Sequence, residues 1–507
     1  MTRSQVIIKN ITSNFAGYSV SLITGLLLSP FVVHSLGDTY YGLWTLIQSL
    51  TGYYGLLDLG IFSGVSQYVT RYMAKGDKDG VNRIMTTALF ILVFVTVFAL
   101  LVTFSLVLVL PKWFGVEGEE GINLQWAMAL MGIGIAINLP MSVFKAIPYG
   151  LQKLEILNLV IVVNRLIEVG LTIWLLKEGY GILGVAGAAL AAHFIGWIIQ
   201  AYFAFSICPS LSIKANNYSK NAFKEIWGYG FFSVIITAAE KVTIHANTLI
   251  VGFFLTAEAV TYYAIGANLV PYYMAIIQTI TWTFTPYATS RDAHGDESSL
   301  QRLLLSGTRG TVALAAFMGS GLILLGNDFL GLWMGDKYVS GDIFVSSGTI
   351  LSLLTLATFI RLTQSCGFQV LFGMRKVKFL SLLAIIELLS NIILSIVFIK
   401  NWGLIGIPFS MLLTVFFIRG VLQPIYLLRT IKVEMRKYLL QVFIGFCPIV
   451  LTMGIFNWAT CNMLPISTWL DLIARGAIIS IPGALIGYFA VISRHDRRAL
   501  FSMYWKK

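Results

Sequence analysis

Charge is scarce in this chain. Asp, Glu, Lys and Arg make up 11% of 507 residues against 57% hydrophobic residues, and mean hydropathy is +0.81. Soluble domains carry about a quarter charged residues, so the shortage excludes a water-soluble protein. Cysteine is sparse too: Cys208, Cys366, Cys447 and Cys461 have no metal-ligand spacing, and the topology argued below leaves only Cys461 near the outer face. Neither a structural disulfide nor a metal site is expected. No Gly-x-x-x-x-Gly-Lys segment occurs, which removes direct ATP hydrolysis. A basic domain is also missing. The net charge of +12 comes from Lys and Arg in short groups between apolar runs, so nucleic acid is not an expected partner. β-barrel alternation is absent. The polar, basic start, Met1 to Asn10, leads into a full-length span with no small-residue cleavage site, and the first helix is expected to stay in the mature protein.

What is present is a series of apolar runs long enough to cross ~30 Å of hydrocarbon. Six occupy residues 11–33, 41–68, 86–110, 125–149, 156–176 and 182–206, and six more occupy 227–255, 259–287, 310–330, 343–369, 379–399 and 404–428. Two follow at 439–461 and 472–492. The expected fold is an all-α polytopic membrane protein of about 14 transmembrane helices. Its expected divisions are an N-terminal six-helix bundle (1–208), a cytoplasmic linker (209–225), a second six-helix bundle (226–430), and two extra helices with a basic cytoplasmic tail (431–507).

Orientation follows from Lys and Arg, which collect on the cytoplasmic side. Alternate connections, from Arg3 and Lys9 through Arg71, Lys75, Lys78 and Arg83 to Arg494, Arg497, Arg498, Lys506 and Lys507, hold 25 basic residues. The others hold 4: Lys112, Lys177, Lys337 and Lys400. Both termini are therefore expected in the cytoplasm.

The two groups of six repeat each other. Tyr68, Thr70, Gly76, Asp77 and Arg83 recur in register as Tyr287, Thr289, Gly295, Asp296 and Arg302; Trp113 and Gly115 match Trp333 and Gly335; Gly150 and Lys153 match Gly373 and Lys376. Gly181-Ile182-Leu183-Gly184 matches Gly403-Leu404-Ile405-Gly406. Both halves start on the same side with six spans, so the repeat is parallel, a plan in which transporters run the substrate path between halves.

Ionisable groups at the centre of a span cost ~2.5 to 3.5 kcal/mol each on insertion scales, and so mark function or pairing. The midpoint helix carries Glu240, Lys241 and His245; others are Asp58, Lys145, Arg165, Glu168, His193, Arg361, Glu387, Arg419 and Arg475. Lys241, His245, Arg361, Arg419 and Arg165 are the candidate cations of a substrate cavity; Asp58, Glu168, Glu240 and Glu387 are the candidate ion-coupling carboxylates. The blander readings stand beside these. Arg165 and Glu168, three apart, share a face and equally read as a self-neutralising pair. Lys145 and Arg475 read as snorkelling side chains, and His193, among Ala and Gly, as a packed histidine. The helix-seven group reads also as an interhelical network.

Ser29-Pro30-Phe31, Leu36-Gly37, Tyr41-Gly42-Leu43-Trp44, Leu57-Asp58-Leu59-Gly60 and Gly181 to Gly184 resemble the Wzx-type oligosaccharide-lipid flippases and polysaccharide exporters of the multidrug/oligosaccharidyl-lipid/polysaccharide superfamily. The resemblance implies two six-helix bundles around a cavity, alternating access in a bacterial-type inner membrane, and coupling to a proton or sodium gradient with no cofactor. It implies as substrate an oligosaccharide on a polyprenyl diphosphate, surrounded by membrane lipids, with glycan polymerase and chain-length machinery as further partners. A lipid II flippase is a related alternative, set back by the absence of charge between residues 11 and 33; a multidrug exporter is another, set back by the last helix pair. From other classes, an O-antigen polymerase or lipid-linked glycosyltransferase would work from a large external loop. Here the acidic Glu117, Glu119 and Glu120 read better as a solvated turn, so the chain is expected not to be an enzyme. A scaffold would not need so many buried charges.

Overall fold

The computed structural model describes residues 3–58, 60–227 and 231–491. The basic tail with Arg494, Arg497, Arg498, Lys506 and Lys507, residue Leu59, and positions 228–230 of the midpoint helix lie outside the described residues.

Within hydrocarbon every backbone amide must be satisfied internally, and among the described residues the chain meets that demand with helices alone. The order is α1 (Arg3–Gly52), α2 (Ile61–Ala74), α3 (Lys78–Phe114), α4 (Gly118–Met141), α5 (Ala146–Gly150), α6 (Leu154–Lys177), α7 (Gly181–Ile207), α8 (Lys220–Trp227), α9 (Phe231–Phe254) and α10 (Ala257–Ala267). Then come α11 (Val270–Thr281), α12 (Phe284–Ala293), α13 (Glu297–Met334), α14 (Lys337–Ser340), α15 (Ser347–Thr363), α16 (Ser365–Gly373), α17 (Val377–Trp402), α18 (Gly406–Val415), α19 (Gln423–Ile431), α20 (Met435–Cys461) and α21 (Trp469–Val491).

Among the described residues, 11 helical runs are long and apolar enough to cross a membrane, or 12 if the bent pair α15 and α16 is one span. That is fewer than the expected fourteen, because two runs exceed a single crossing. Thr12–Leu56 has 45 residues and Val377–Ile431 has 55, about 65 and about 80 Å at ~1.5 Å per residue. Each contains a glycine that turns the backbone into the left-handed half of conformational space, Gly37 at φ 75° inside α1 and Gly403 at φ 65° after α17. There an L side chain would be strained, so the long run bends at glycine.

Packing separates two compact units, Met1–Thr261 and Tyr262–Lys507. This division falls one helix later than the sequence repeat, because α9 packs on α1: a Cβ at Gly252 would meet Leu46 and, at 3.1 Å, Phe114. The first unit is cored by Val65 and Val69 of α2, Ile84, Met85 and Leu92 of α3, and Ala136 of α4. Its stretch between α7 and α8 is tied down rather than free-running. Asn82 donates to the Ser210 carbonyl at 3.2 Å and accepts from the Ser212 amide at 2.9 Å, while Thr87 accepts from the Ser219 amide at 3.1 Å.

In the second unit α13, α20 and α21 share a core of Ala313, Ala316, Ile449, Met453 and Ile479. Arg475 does not snorkel: it is 5% exposed and donates to Asn457 across the α20–α21 contact at 2.8 Å. Large apolar side chains elsewhere face outward, with Leu27 74%, Phe94 78% and Trp458 80% exposed. Such a surface needs lipid, not water, around it.

Repeated positions adopt repeated conformations. Gly76 and Gly295 have φ of 71° and 68°, and the next residue in each case caps a long helix: Asp77 accepts from Gly80 N at 2.7 Å, Asp296 from Ser299 N at 3.0 Å. Gly150 lies against Thr70, and Thr289 donates to the Gly373 carbonyl at 3.2 Å.

Candidate functional site

In each unit some of the intramembrane charges lie where helices break. In the first unit α1 passes through a 3₁₀ turn, Tyr53–Leu56, and α2 begins only after Gly60, at φ 74°. Asp58 occupies that interruption and accepts from the Phe62 amide at 3.4 Å. Two glycines let α9 come close. A Cβ at Gly55 would stand 2.8 Å from the Lys241 ammonium, and one at Gly52 would run into the His245 ring, whose centroid is 5.4 Å from that of Tyr53. Lys145 ends a second 3₁₀ turn, Ser142–Lys145, and the charges of Lys241 and Lys145 both act on Asp58. Neither lysine forms an ion pair within 4.0 Å among the described residues. The cluster thus holds two uncommitted ammonium groups around one carboxylate.

Alongside, Arg165 pairs with Glu168 at 3.0 Å and donates through Nε to Thr24 at 3.1 Å, pinning α6 to α1. His193 stacks on Trp197 with ring centroids 6.4 Å apart, and Trp197 donates to Asn138 at 3.1 Å. Glu240 makes no hydrogen bond or ion pair among the described residues, so the structure does not bring it to the cluster.

In the second unit one carboxylate takes two guanidinium groups. Glu387, in the middle of α17 and 4% exposed, accepts from Arg361 Nη2 through one oxygen and from Arg419 Nε at 2.5 Å through the other. Arg361 lies three residues before Gln364, where α15 and α16 meet at a 40° bend. Arg419 lies inside a π-helical turn, Phe416–Leu422. Such turns carry one residue more per hydrogen-bonded ring than an α-helix and frequently occur at functional sites. The network extends outward: Arg419 Nη1 donates to Gln423 at 3.0 Å, Gln423 to the Gln364 carbonyl at 3.2 Å, and Tyr438 of α20 to the Gln364 side chain at 3.0 Å. The Arg419 guanidinium also stands over the Phe368 ring, 5.8 Å from its centroid. Charge in low dielectric demands this degree of satisfaction.

Of the sequence candidates, the structure therefore pairs Arg165 with Glu168, and Arg361 and Arg419 with Glu387, and sets Lys241 where its charge acts on Asp58 without an ion pair. His245 packs beside Lys241. Sequence reasoning set Lys145 aside as a snorkelling side chain, and it did not single out Gln364, Gln423 or Tyr438. Gln364 is three residues from Arg361 and Gln423 four from Arg419, so helical spacing held a signal for both; Tyr438, 74 positions from Gln364, had none. Among the described residues no group of three or more His, Cys, Asp or Glu could hold a metal. A pocket of about 270 Å³ between α11, α12 and α13 is apolar, lined by Ile277, Phe284, Gly307 and Leu314 among others, and none of the charged candidates borders it.

Helices of membrane length with ion pairs in their middles define a multi-pass membrane protein. The chain belongs to the polysaccharide biosynthesis protein family, whose pattern it matches over residues 7–291. It is 22% identical to the membrane protein EpsK of Bacillus subtilis (strain 168), over 98% of both chains. It is 21% identical to a proposed O-antigen transporter of Shigella flexneri, over 83% of this chain and 97% of that one. Among solved structures it resembles the lipid II flippase MurJ in an inward closed conformation, with TM-score 0.71 and 14% identity over 96% of this chain and 100% of that one. It also resembles an inward-facing multidrug resistance transporter of the MATE family, of the same MOP superfamily, with TM-score 0.70 and 15% identity over 81% and 95%. The fold is that of this superfamily.

Proposed function

We propose that the protein is a flippase that carries a polyprenyl-diphosphate-linked oligosaccharide, an O-antigen unit or similar surface glycan, from the inner to the outer leaflet of a bacterial inner membrane. The observation that carries the reading is the composition of the two charged clusters, each with two cations to one carboxylate. A net positive site within the spans suits an anion that cannot cross hydrocarbon unaided, and a diphosphate answers to both guanidinium forks and ammonium groups. Arg361 and Arg419 of the second unit are the groups we assign to the headgroup; Lys241, Lys145 and His245 of the first unit form a separate candidate cationic site, and Arg165 is held back by Glu168. Asp58 and Glu387 are the coupling carboxylates best placed to exchange a proton or sodium ion, with Glu168 and Glu240 behind them.

The reading carries a topology of 14 spans with both termini in the cytoplasm. Counting the bent pair as one span and cutting the two overlong runs at Gly37 and Gly403 brings 11 to that number. The six-helix repeats then frame alternating access, with the glycan polymerase and its chain-length partners acting on the delivered unit. The test is the leaflet on which lipid-linked units accumulate when the gene is deleted. Accumulation on the cytoplasmic leaflet supports the flippase; single units already on the outer leaflet would assign the protein to polymerisation instead.

A further inference from the structure

We infer, building on the transport reading, that Glu387 and the anionic headgroup take turns on Arg361 and Arg419, so that loading a diphosphate onto the second unit places one proton on Glu387.

Charge balance leads to this. With Glu387 ionised, the two guanidinium groups and one carboxylate sum to +1. A bound phosphate dianion would then leave a buried surplus of −1. With Glu387 protonated the arginines present +2, which a dianion neutralises, and uncompensated charge in a low-dielectric interior is the costlier state. The two oxygens of Glu387 already occupy the arginine donors that two phosphate oxygens would use, so carboxylate and phosphate are competitors for the same N–H groups. Arg361 Nε, buried and without a partner, is a further donor available to a larger anion.

The helices distribute mobility to suit an exchange. Glu387 is fixed mid-way along the regular helix α17, whereas Arg361 stands one turn before the bend at Gln364 and Arg419 within the π turn. Both guanidinium groups ride on segments whose hydrogen-bond ladders are already irregular, so they can shift without opening a regular helix. Arg361 from α15 and Arg419 from the π turn are the charged groups acting on Glu387. Phe368 from α16 and Gln423 from α19 contact Arg419, Tyr438 from α20 reaches the network only through Gln364, and Asn391, one turn along α17, carries no charge. Among the described residues the other ionisable side chains of this network are Tyr438 and the arginines, and a phenol and a guanidinium already hold their protons at neutral pH. The step balances as carboxylate plus one proton giving a neutral carboxyl, with the proton released when the anion leaves.

The probe is farnesyl-diphosphate-linked N-acetylglucosamine, a diester that carries two negative charges, added to the purified full-length protein in detergent. Infrared difference spectra of the wild type should gain one protonated-carboxyl band on binding, and Glu387→Gln should lack it. Calorimetry in two buffers of different ionisation heat should give about one more proton taken up by wild type than by Glu387→Gln. As pH rises, wild-type affinity should weaken relative to the variant by up to about tenfold per pH unit. Binding with no carboxyl band in the wild type overturns the inference and needs no variant to fold; so does equal proton uptake in both proteins, or binding that survives Arg361→Gln with Arg419→Gln. If the band appears but reconstituted protein moves no lipid-linked oligosaccharide, the transport reading falls and the proton exchange stands.

Discussion

Gln152 and Arg375 occupy matching turns of the two units and share a left-handed backbone, with φ of 56° and 59°. Each stands two residues after a matched glycine, Gly150 against Val69 and Thr70 of α2 or Gly373 against Thr285, Ala288 and Thr289 of α12. The αL region costs a non-glycine residue ~1 to 2 kcal/mol. Gln152→Gly and Arg375→Gly are expected to leave thermal unfolding in detergent unchanged or raise stability by about 0.5 to 1 kcal/mol, whereas Gly60→Ala, at φ 74°, should lower it by about 1 to 2 kcal/mol. A loss of stability in both relieving variants would mean that their side chains, not their backbones, hold the turns.

The helices were legible from hydropathy because each must hide its amides in lipid, and the breaks at Gly37 and Gly403 lie in the polar seams between apolar runs. Charge positions were legible too, since an Asp or Arg inside a span stands out against leucine. Partnership was not. Arg361 and Glu387 are 26 positions apart and Arg419 and Glu387 32, on three helices whose facing sides no periodicity specifies. Lys145 was read as snorkelling because a long side chain near a helix end usually does so; the 3₁₀ turn that carries it, close enough for its charge to act on Asp58, leaves no trace in composition. Arg475 misled in the same way, because Asn457 lies on another helix.

Asp296 lies outside the membrane-spanning helices, at the start of α13. Hydrogen bonds from Ser299 and Ser298, together with the Arg291 guanidinium, hold its carboxyl at about 2, below the ordinary 3.8. A carboxyl depressed on folding contributes stability above its unfolded value, and that contribution is lost as pH falls towards the folded one. Asp296→Ala is therefore expected to unfold at a lower temperature than wild type at neutral pH, with the gap closing between pH 4 and pH 2. A gap independent of pH would show that the cap works through its hydrogen bonds alone.

Gly52 and Gly55 should differ sharply in tolerance. A Cβ at Gly55 meets the end of the flexible Lys241 chain, which can swing away; one at Gly52 meets the flat ring of His245, wedged beside Tyr53. Gly55→Ala is expected to cost under about 1 kcal/mol, and Gly52→Ala about 1 to 3 kcal/mol through overpacking. Adding His245→Ala should restore most of the loss at Gly52 and none of any loss at Gly55. A thermal-unfolding double-mutant cycle with no coupling between positions 52 and 245 would refute the close packing of α9 on the 3₁₀ turn.

Glu387 offers the clearest separation of stability from transport. Replacing it with Ala leaves two buried guanidinium groups without their counter-ion, a change of the kind that costs ~3 to 5 kcal/mol. Replacing all three members together, Glu387→Leu, Arg361→Leu and Arg419→Leu, removes the stranded charge, and buried ion networks exchanged for apolar side chains of similar size are often neutral or more stable. The triple variant is therefore expected to unfold near or above the wild-type temperature while exporting no glycan, with the single variant low on both measures. Gln423 would lose its Arg419 donor in the triple variant but keep its bond to the Gln364 carbonyl, so the α19 contact should survive. Wild-type export by a stable triple variant would reduce the network to a packing element and remove Arg361 and Arg419 from the headgroup site.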